Sequence, residues 1–189
     1  MGFFKIISFL EVIDLNLFFL FKKMIRLAQK LDLQKVLQIT RLCAVEMESR
    51  KVFQWNEHYP DRKSFVNDIN NNELYVYCIN DKIVGCVSIC SYMDKVYSKV
   101  SWKTNGENSI YIHRLAVDPE YQKKGVGSKL MDFAENKSKS DGAESIRLDT
   151  FSQNTVNQNF YKRRGYVRLE DIYFPLQSEH PFHCYELLF

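Results

Sequence analysis

The sequence predicts a mixed α/β fold: a single, mostly antiparallel sheet covered by helices on both faces. Three observations carry that expectation. Apolar residues recur at helical spacing through positions 31–69, a run of short strands follows, and two further helical stretches interrupt those strands.

At 189 residues, 46% hydrophobic and 26% charged, the chain suits one folded domain with a short appendage. A formal charge of +3 is compatible with a phosphate-bearing ligand. It is far below the basic excess of a nucleic-acid binder, so no nucleic-acid partner is expected. Cys43, Cys78, Cys86, Cys90 and Cys184 show no metal-like pairing, and His58, His180 and His183 make no ligand spacing with any of them; no metal is expected. Cys86 and Cys90 sit on an apparent strand, which favours buried, reduced thiols and a cytoplasmic location.

Residues 1–23 read as an N-terminal extension. Phe3 to Phe21 is apolar but broken by Glu11, Asp14 and Asn16, which a membrane span does not tolerate at its centre, so no membrane partner is expected. No small-residue cleavage site follows, and Ile6 stands where a myristoylation motif needs Ser or Thr. The extension reads as amphipathic or disordered, or as sequence ahead of a natural start at Met24, which is the reading we favour. The domain is expected over 24–189, opening with a strand at Met24-Ile25-Arg26-Leu27-Ala28.

Leu33, Val36, Leu37, Thr40, Ala44 and Met47 then mark an amphipathic helix from about Leu31 to Arg50. An aromatic connector follows at Phe53, Trp55, His58, Tyr59 and Pro60. Asp61 reads as the N-cap of a second helix carrying Phe65, Val66 and Ile69, ended by Asn70-Asn71-Asn72. Leu74 to Ile79 and Ile83 to Ser91 form a hairpin around Asn80-Asp81-Lys82, where Asn and Asp tolerate positive φ. Tyr92 to Asn108 lacks periodicity and reads as loop. Ser109 to Val117 is a strand stopped by Asp118-Pro119. A helix with Val126, Leu130, Phe133 and Ala134 on one face comes next, then a strand from Ser145 to Thr150. A helix from Asn154 to Arg164 closes at Gly165, and strands at Tyr166 to Phe174 and Phe182 to Phe189 finish the chain.

The most informative segment is Leu115-Ala116-Val117-Asp118-Pro119-Glu120-Tyr121-Gln122-Lys123-Lys124-Gly125-Val126-Gly127-Ser128. A strand stops, turns and feeds a helix whose first turn is glycine-rich. Its N–H groups lack intrahelical partners, and the helix dipole places positive charge there. Glycines at 125 and 127 let an anion approach the backbone, which suits a phosphate or pyrophosphate. The absence of Gly-Lys-Ser/Thr excludes a nucleoside-triphosphate P-loop here, and two glycines without a following acidic residue fit a dinucleotide fingerprint poorly. A tight turn with a well-capped helix is the bland alternative.

Gln-x-x-Gly-x-Gly after Leu-Ala-Val-Asp-Pro resembles motif A of the GNAT (GCN5-related N-acetyltransferase) superfamily. Arg147-Leu148-Asp149-Thr150, Asn154 and Phe160-Tyr161-Lys162-Arg163-Arg164-Gly165-Tyr166 resemble that family's next strand and helix. The resemblance runs from about Met24 to Phe189 and is strongest from Ile110 to Tyr166. It implies an acyl-CoA N-acyltransferase fold, in which a strand splays from its neighbour ahead of a pyrophosphate-binding loop. It implies acetyl-CoA as co-substrate, with the acetyl group moved to an amine of a small molecule or protein by direct attack in a ternary complex. Backbone amides from Gln122, Lys123, Lys124, Gly125, Val126, Gly127 and Ser128 would hold the pyrophosphate. The main chain of Leu115, Ala116 and Val117, with Asn154, would hold the pantetheine arm. Tyr161 would donate a proton to the departing thiolate. The alternatives are a surface lysine pair, a plain N-cap for Asn154 and a half-buried core phenol for Tyr161. Asn154, Gln158 and Tyr161 share one helical face, with Val156 and Phe160 turned toward a core.

A base must accept the amine's proton. His113 has the natural pKa, sits in phase with Tyr111 and Leu115, and matches a histidine of the arylalkylamine branch of the family. A structural histidine is the alternative, and Glu73, Asp149 and a water chain are the other bases. The connector Phe53 to Tyr59 lies where the family forms its acceptor wall, and would equally serve as a hydrophobic plug. Homodimers are common in the family, and the resemblance allows one here. A module that binds acetyl-CoA without turnover is the competing function, and a membrane-associated protein using residues 1–23 is a third.

Overall fold

The computed structural model describes residues 23–189, so the extension read at 1–23 lies outside the described residues except for Lys23. In chain order the strands are β1 (Lys23–Leu27), β2 (Leu74–Ile79), β3 (Lys82–Cys90), β4 (Ser109–Val117), β5 (Ser145–Phe151), β6 (Val167–Ile172) and β7 (Phe182–Leu188). The helices are α1 (Leu33–Ser49), α2 (Arg62–Asn70), α3 (Val126–Ser140) and α4 (Thr155–Arg163). Local chemistry explains the boundaries. Asp61 Oδ1 accepts from Ser64 N (2.8 Å) and starts α2. Asn80 and Asp81, at φ 50° and 61°, make the tight turn between β2 and β3. Gly165, at φ 91°, stops α4.

One seven-stranded sheet results, in the order β1-β2-β3-β4-β5-β7-β6. Alternation buries both faces. On one side Tyr75, Tyr77, Val84, Val87, Ile112, Ile146 and Leu148 pack beneath α3 and Tyr161 of α4. On the other Leu74, Val76, Cys78, Cys86 and Ala116 pack beneath Val36 and Ile39 of α1 and Phe65 and Ile69 of α2. Gly85 lets α3 approach closely, since a Cβ there would lie 2.8 Å from the Ala116 carbonyl and 3.1 Å from Leu130.

Two features of β4 position the site. Its pairing with β5 is parallel and holds only at Ser109–Ser145, Ile110–Ile146 and Tyr111–Arg147; beyond that rung the strands part. The closed end of this fork is pinned by buried Arg147, which bonds Glu186 (3.0 Å), the Tyr111 hydroxyl (2.9 Å) and the Thr104 carbonyl (2.7 Å). The second feature is a bulge against β3, where Cys86 pairs with Ala116 but Ser88 pairs with His113. Arg114, inside the bulge, takes φ 52°. The extra residue corrects the expected phase: His113 stays on the Tyr111 face, whereas Leu115 packs on the α3 side.

Candidate active site

Past β4 the chain makes a 3₁₀ turn at Pro119–Tyr121 and then the glycine loop. Lys123 (φ 58°) and Gly125 (φ 80°) bend the backbone into α3, and the Gly125 carbonyl accepts the first helical bond from Lys129 N (3.1 Å). Among the described residues no acceptor serves the N–H groups of Gly125, Val126, Gly127 and Ser128. A Cβ at Gly125 would touch nothing within 4 Å, and one at Gly127 would meet only Val117 Cγ2, at 3.7 Å. The protein's own packing therefore does not demand a glycine at 127. The space its hydrogen leaves is open, and free N–H donors at a helix N-terminus suit an anion there. Gln122 braces the turn by donating from Nε2 to the Val117 carbonyl (3.1 Å), which also accepts from Cys43 Sγ. Lys123 and Lys124 are exposed, with Lys124 Nζ over the Tyr121 ring.

The open end of the fork forms a polar chamber of about 180 Å³. His113 on β4 and Asp149 on β5, each two residues beyond the last paired rung, face it together with Arg114, Tyr59, Tyr92 and Asp94. The segment 92–108, expected as a loop, contributes most here. It holds a short 3₁₀ helix at Lys95–Lys99, started by Asp94, which accepts from Val96 N. That helix delivers Tyr97, fully buried, whose ring stacks on Tyr111 and His113 and whose hydroxyl donates to Asp149 Oδ1. Helical and strand periodicity carried no sign of Tyr97, because one buried aromatic in an aperiodic stretch has no pattern to join.

The electrostatics separate the candidate bases. Burial, aided by the Arg114 charge, pushes the His113 imidazole down to about 3, so the ring is neutral but weakly basic. Burial lifts the Asp149 carboxyl to about 6; Asp94 pushes the same way, while the Tyr97 hydrogen bond and Arg114 oppose. Asp149 is thus tuned for proton exchange near neutrality. Glu73 stands instead beside Asp68 and Cys90, in a cluster whose ligand atoms lie within 4.8 Å of one another. Both oxygens of Asp68 are already taken, by Arg114 (2.7 and 2.8 Å) and Ser88 (2.5 Å).

On α4, Asn154 is the N-cap, accepting from Asn157 N (3.1 Å), and its Nδ2 donates to Gln54 of the aromatic connector (2.8 Å). Gln158 Nε2 is engaged with the Ser152 carbonyl (2.7 Å). Tyr161 is buried among Phe160, Tyr166 and Tyr185, and burial, then the Asp149 charge, raises its pKa, so the phenol stays protonated. The face shared by Asn154 and Tyr161 is therefore buried. Val156, expected to point toward a core, is exposed, because α4 turns only one side to the sheet. The connector divides its labour: Trp55 packs on the α1 side of the core, while His58 and Tyr59 line cavities.

A family model described as Acetyltransferase (GNAT) family matches residues 21–166. Among curated proteins, the N-acetyltransferase YesJ of Bacillus subtilis, itself uncharacterized, is 26% identical over 107 residues, or 56% of this chain. That match spans 59% of the relative's length, less than two thirds. The crystal structure of a GNAT family acetyltransferase from Streptococcus agalactiae covers 88% of this chain and 95% of its own, with TM-score 0.75 and 17% identity. The PaiA N-acetyltransferase of Thermoplasma acidophilum, solved in complex with coenzyme A, covers 89% of this chain and 99% of its own, with TM-score 0.66 and 19% identity. These neighbours share the fold of the mixed open sheet, and the family model, matched over most of the chain, establishes that the chain belongs to the acetyltransferase (GNAT) family.

Proposed function

We propose that this protein transfers the acetyl group of acetyl-CoA to an amine by direct attack in a ternary complex. The observation that carries the reading is the fork between β4 and β5. Its β4 arm runs on into the free N–H groups of Gly125 to Ser128, and its mouth opens at Asp149 into a polar chamber. The loop from Gln122 to Ser128 would bind the pyrophosphate, with Lys123 and Lys124 adding positive charge. Main-chain groups of Leu115 to Val117, left without a β5 partner, would receive the pantetheine arm, and Asn154 would flank it. That the Thermoplasma neighbour was solved with coenzyme A supports a coenzyme A thioester as the ligand.

Asp149 would take the proton of the incoming amine, with Tyr97 holding its carboxylate. This is a better assignment than His113, whose weak basicity leaves it a wall of the chamber. Tyr161 would give its phenolic proton to the departing thiolate. Acid and base catalysis together fit a family of contributions of about 10²–10⁴ each. No described helix is long and apolar enough to cross a membrane. The five buried free cysteines accord with the reducing cytoplasm as its compartment. The test is thiol release from acetyl-CoA across a panel of amines; acetyl-CoA binding with no thiol release from any amine would replace the transferase with a binding module.

A further inference from the structure

We propose that the acceptor is a monoamine carrying an apolar arm, with its ammonium in the inner chamber and its arm in a second cavity outside it. The proposal rests on the transferase reading and names its substrate class. The charges of the inner chamber set the first half. The Arg114 charge is partly offset by the two-point contact with the Asp68 carboxylate, and its remaining Nη1 reaches the Tyr59 hydroxyl (3.4 Å). His113 is neutral. Asp94 and Asp149 are the negative charges facing the space, and Asp94 disfavours the ionisation of Asp149. A cation relieves that repulsion, whereas the α-carboxylate of a free amino acid would add to it.

The second half comes from the outer cavity, of about 300 Å³, which shares Tyr59, Ser64, Phe174 and Gln177 with the inner one. Its surface is mostly apolar, supplied by Phe174, Pro175 and Leu176 on the segment between β6 and β7. Leu176 is 89% exposed, and Asn56 Nδ2 holds its backbone carbonyl at 3.2 Å, so the main chain is anchored while the apolar side chain stands uncovered. Asp61, the carboxylate in this cavity, is committed as the N-cap of α2 at a helix N-terminus. A second ammonium would meet only that one carboxylate, whose charge the α2 dipole partly balances, in a mostly apolar cavity, so an alkyl arm fits better than a polyamine.

The test compares propylamine, butylamine and hexylamine with hexamethylenediamine and leucine as acceptors, read as kcat/KM for thiol release. Efficiency should rise by up to about fourfold per added methylene that enters the outer cavity. Hexamethylenediamine, which differs from hexylamine by one terminal ammonium, should be about tenfold poorer, and Leu176→Asp should invert that order. Thiol release that favours the diamine or leucine, or ignores chain length, overturns the substrate class and leaves the transferase reading standing. If no amine releases thiol, hexylamine binding measured by NMR decides. Binding weakened in Leu176→Asp keeps the class without turnover, and absent binding overturns it.

Discussion

Arg114 on β4 and Asp68 on α2 grip each other by two parallel hydrogen bonds, 2.7 and 2.8 Å long, with side chains only 7% and 3% exposed. Arg114 is also the bulge residue at φ 52°, a left-handed conformation that costs a non-glycine residue about 1–3 kcal/mol. The ion pair helps offset that strain, and His113 and Arg114 both face the polar chamber. Breaking it from the Asp68 side leaves a buried cation. Asp68→Asn should therefore lower unfolding stability by about 3–5 kcal/mol, measured by urea denaturation. Adding Arg114→Gln should recover part of that loss, since the unpaired charge is then gone. Unchanged stability in Asp68→Asn would mean that the bulge stands without the pair.

The pH dependence of kcat/KM should show an acid limb near 6. With the Asp149 carboxylate as the proposed base and its pKa raised to about 6, efficiency should fall as pH drops through that value. Tyr97→Phe removes a hydrogen bond that favours the carboxylate, which should move the limb to higher pH. Asp149→Asn should abolish the limb along with most of the activity. Its folding effect has the opposite sign. The native state holds this proton more tightly than the unfolded chain, so the stability tied to it is lost as pH rises through about 6. Asp149→Asn should accordingly raise Tm at pH well above 6, and a limb that survives the substitution would assign it to another group.

Tyr161→Phe keeps the buried ring and its aromatic contacts while deleting the hydroxyl. Folding and coenzyme affinity should stay close to wild type, and turnover should drop by about ten- to a thousandfold. A change confined to the acceptor's KM would give the hydroxyl a positioning role instead.

At Gly127 two substitutions separate space from charge. A Cβ meets only Val117 at 3.7 Å, so Gly127→Ala should fold normally. Gly127→Asp places a carboxylate against the free N–H groups of the loop and should abolish acetyl-CoA binding in calorimetry. Equal affinity in the two variants would remove this loop from the coenzyme site.

The repeating and the local parts of the protein are legible in its sequence. Periodicity gave the α1 and α3 faces, Asp61 and Gly165 marked helix ends, and Asn80-Asp81 marked a hairpin, because each acts within a few residues of itself. The glycine loop is legible for the same reason: an anion cradle is one turn, one helix N-terminus and two missing side chains. The polar chamber depends on contacts the chain makes over long separations. Tyr97 reaches Asp149 across 52 residues and Arg114 reaches Asp68 across 46, and no spacing rule links such pairs. The bulge, invisible as a break in alternation, put Leu115 out of phase with His113. Burial beside Arg114 lowers the basicity of His113, which residue type alone favoured as base, and burial beside Asp94 raises the Asp149 carboxyl to about 6. Sequence by itself determined the family, the layers and the glycine loop at the start of α3, since these are set by local conformation and hydrophobic pattern. Tertiary structure alone decided which groups share the chamber and how basic they are, because pKa follows desolvation and neighbouring charge, and both exist only once the chain has folded.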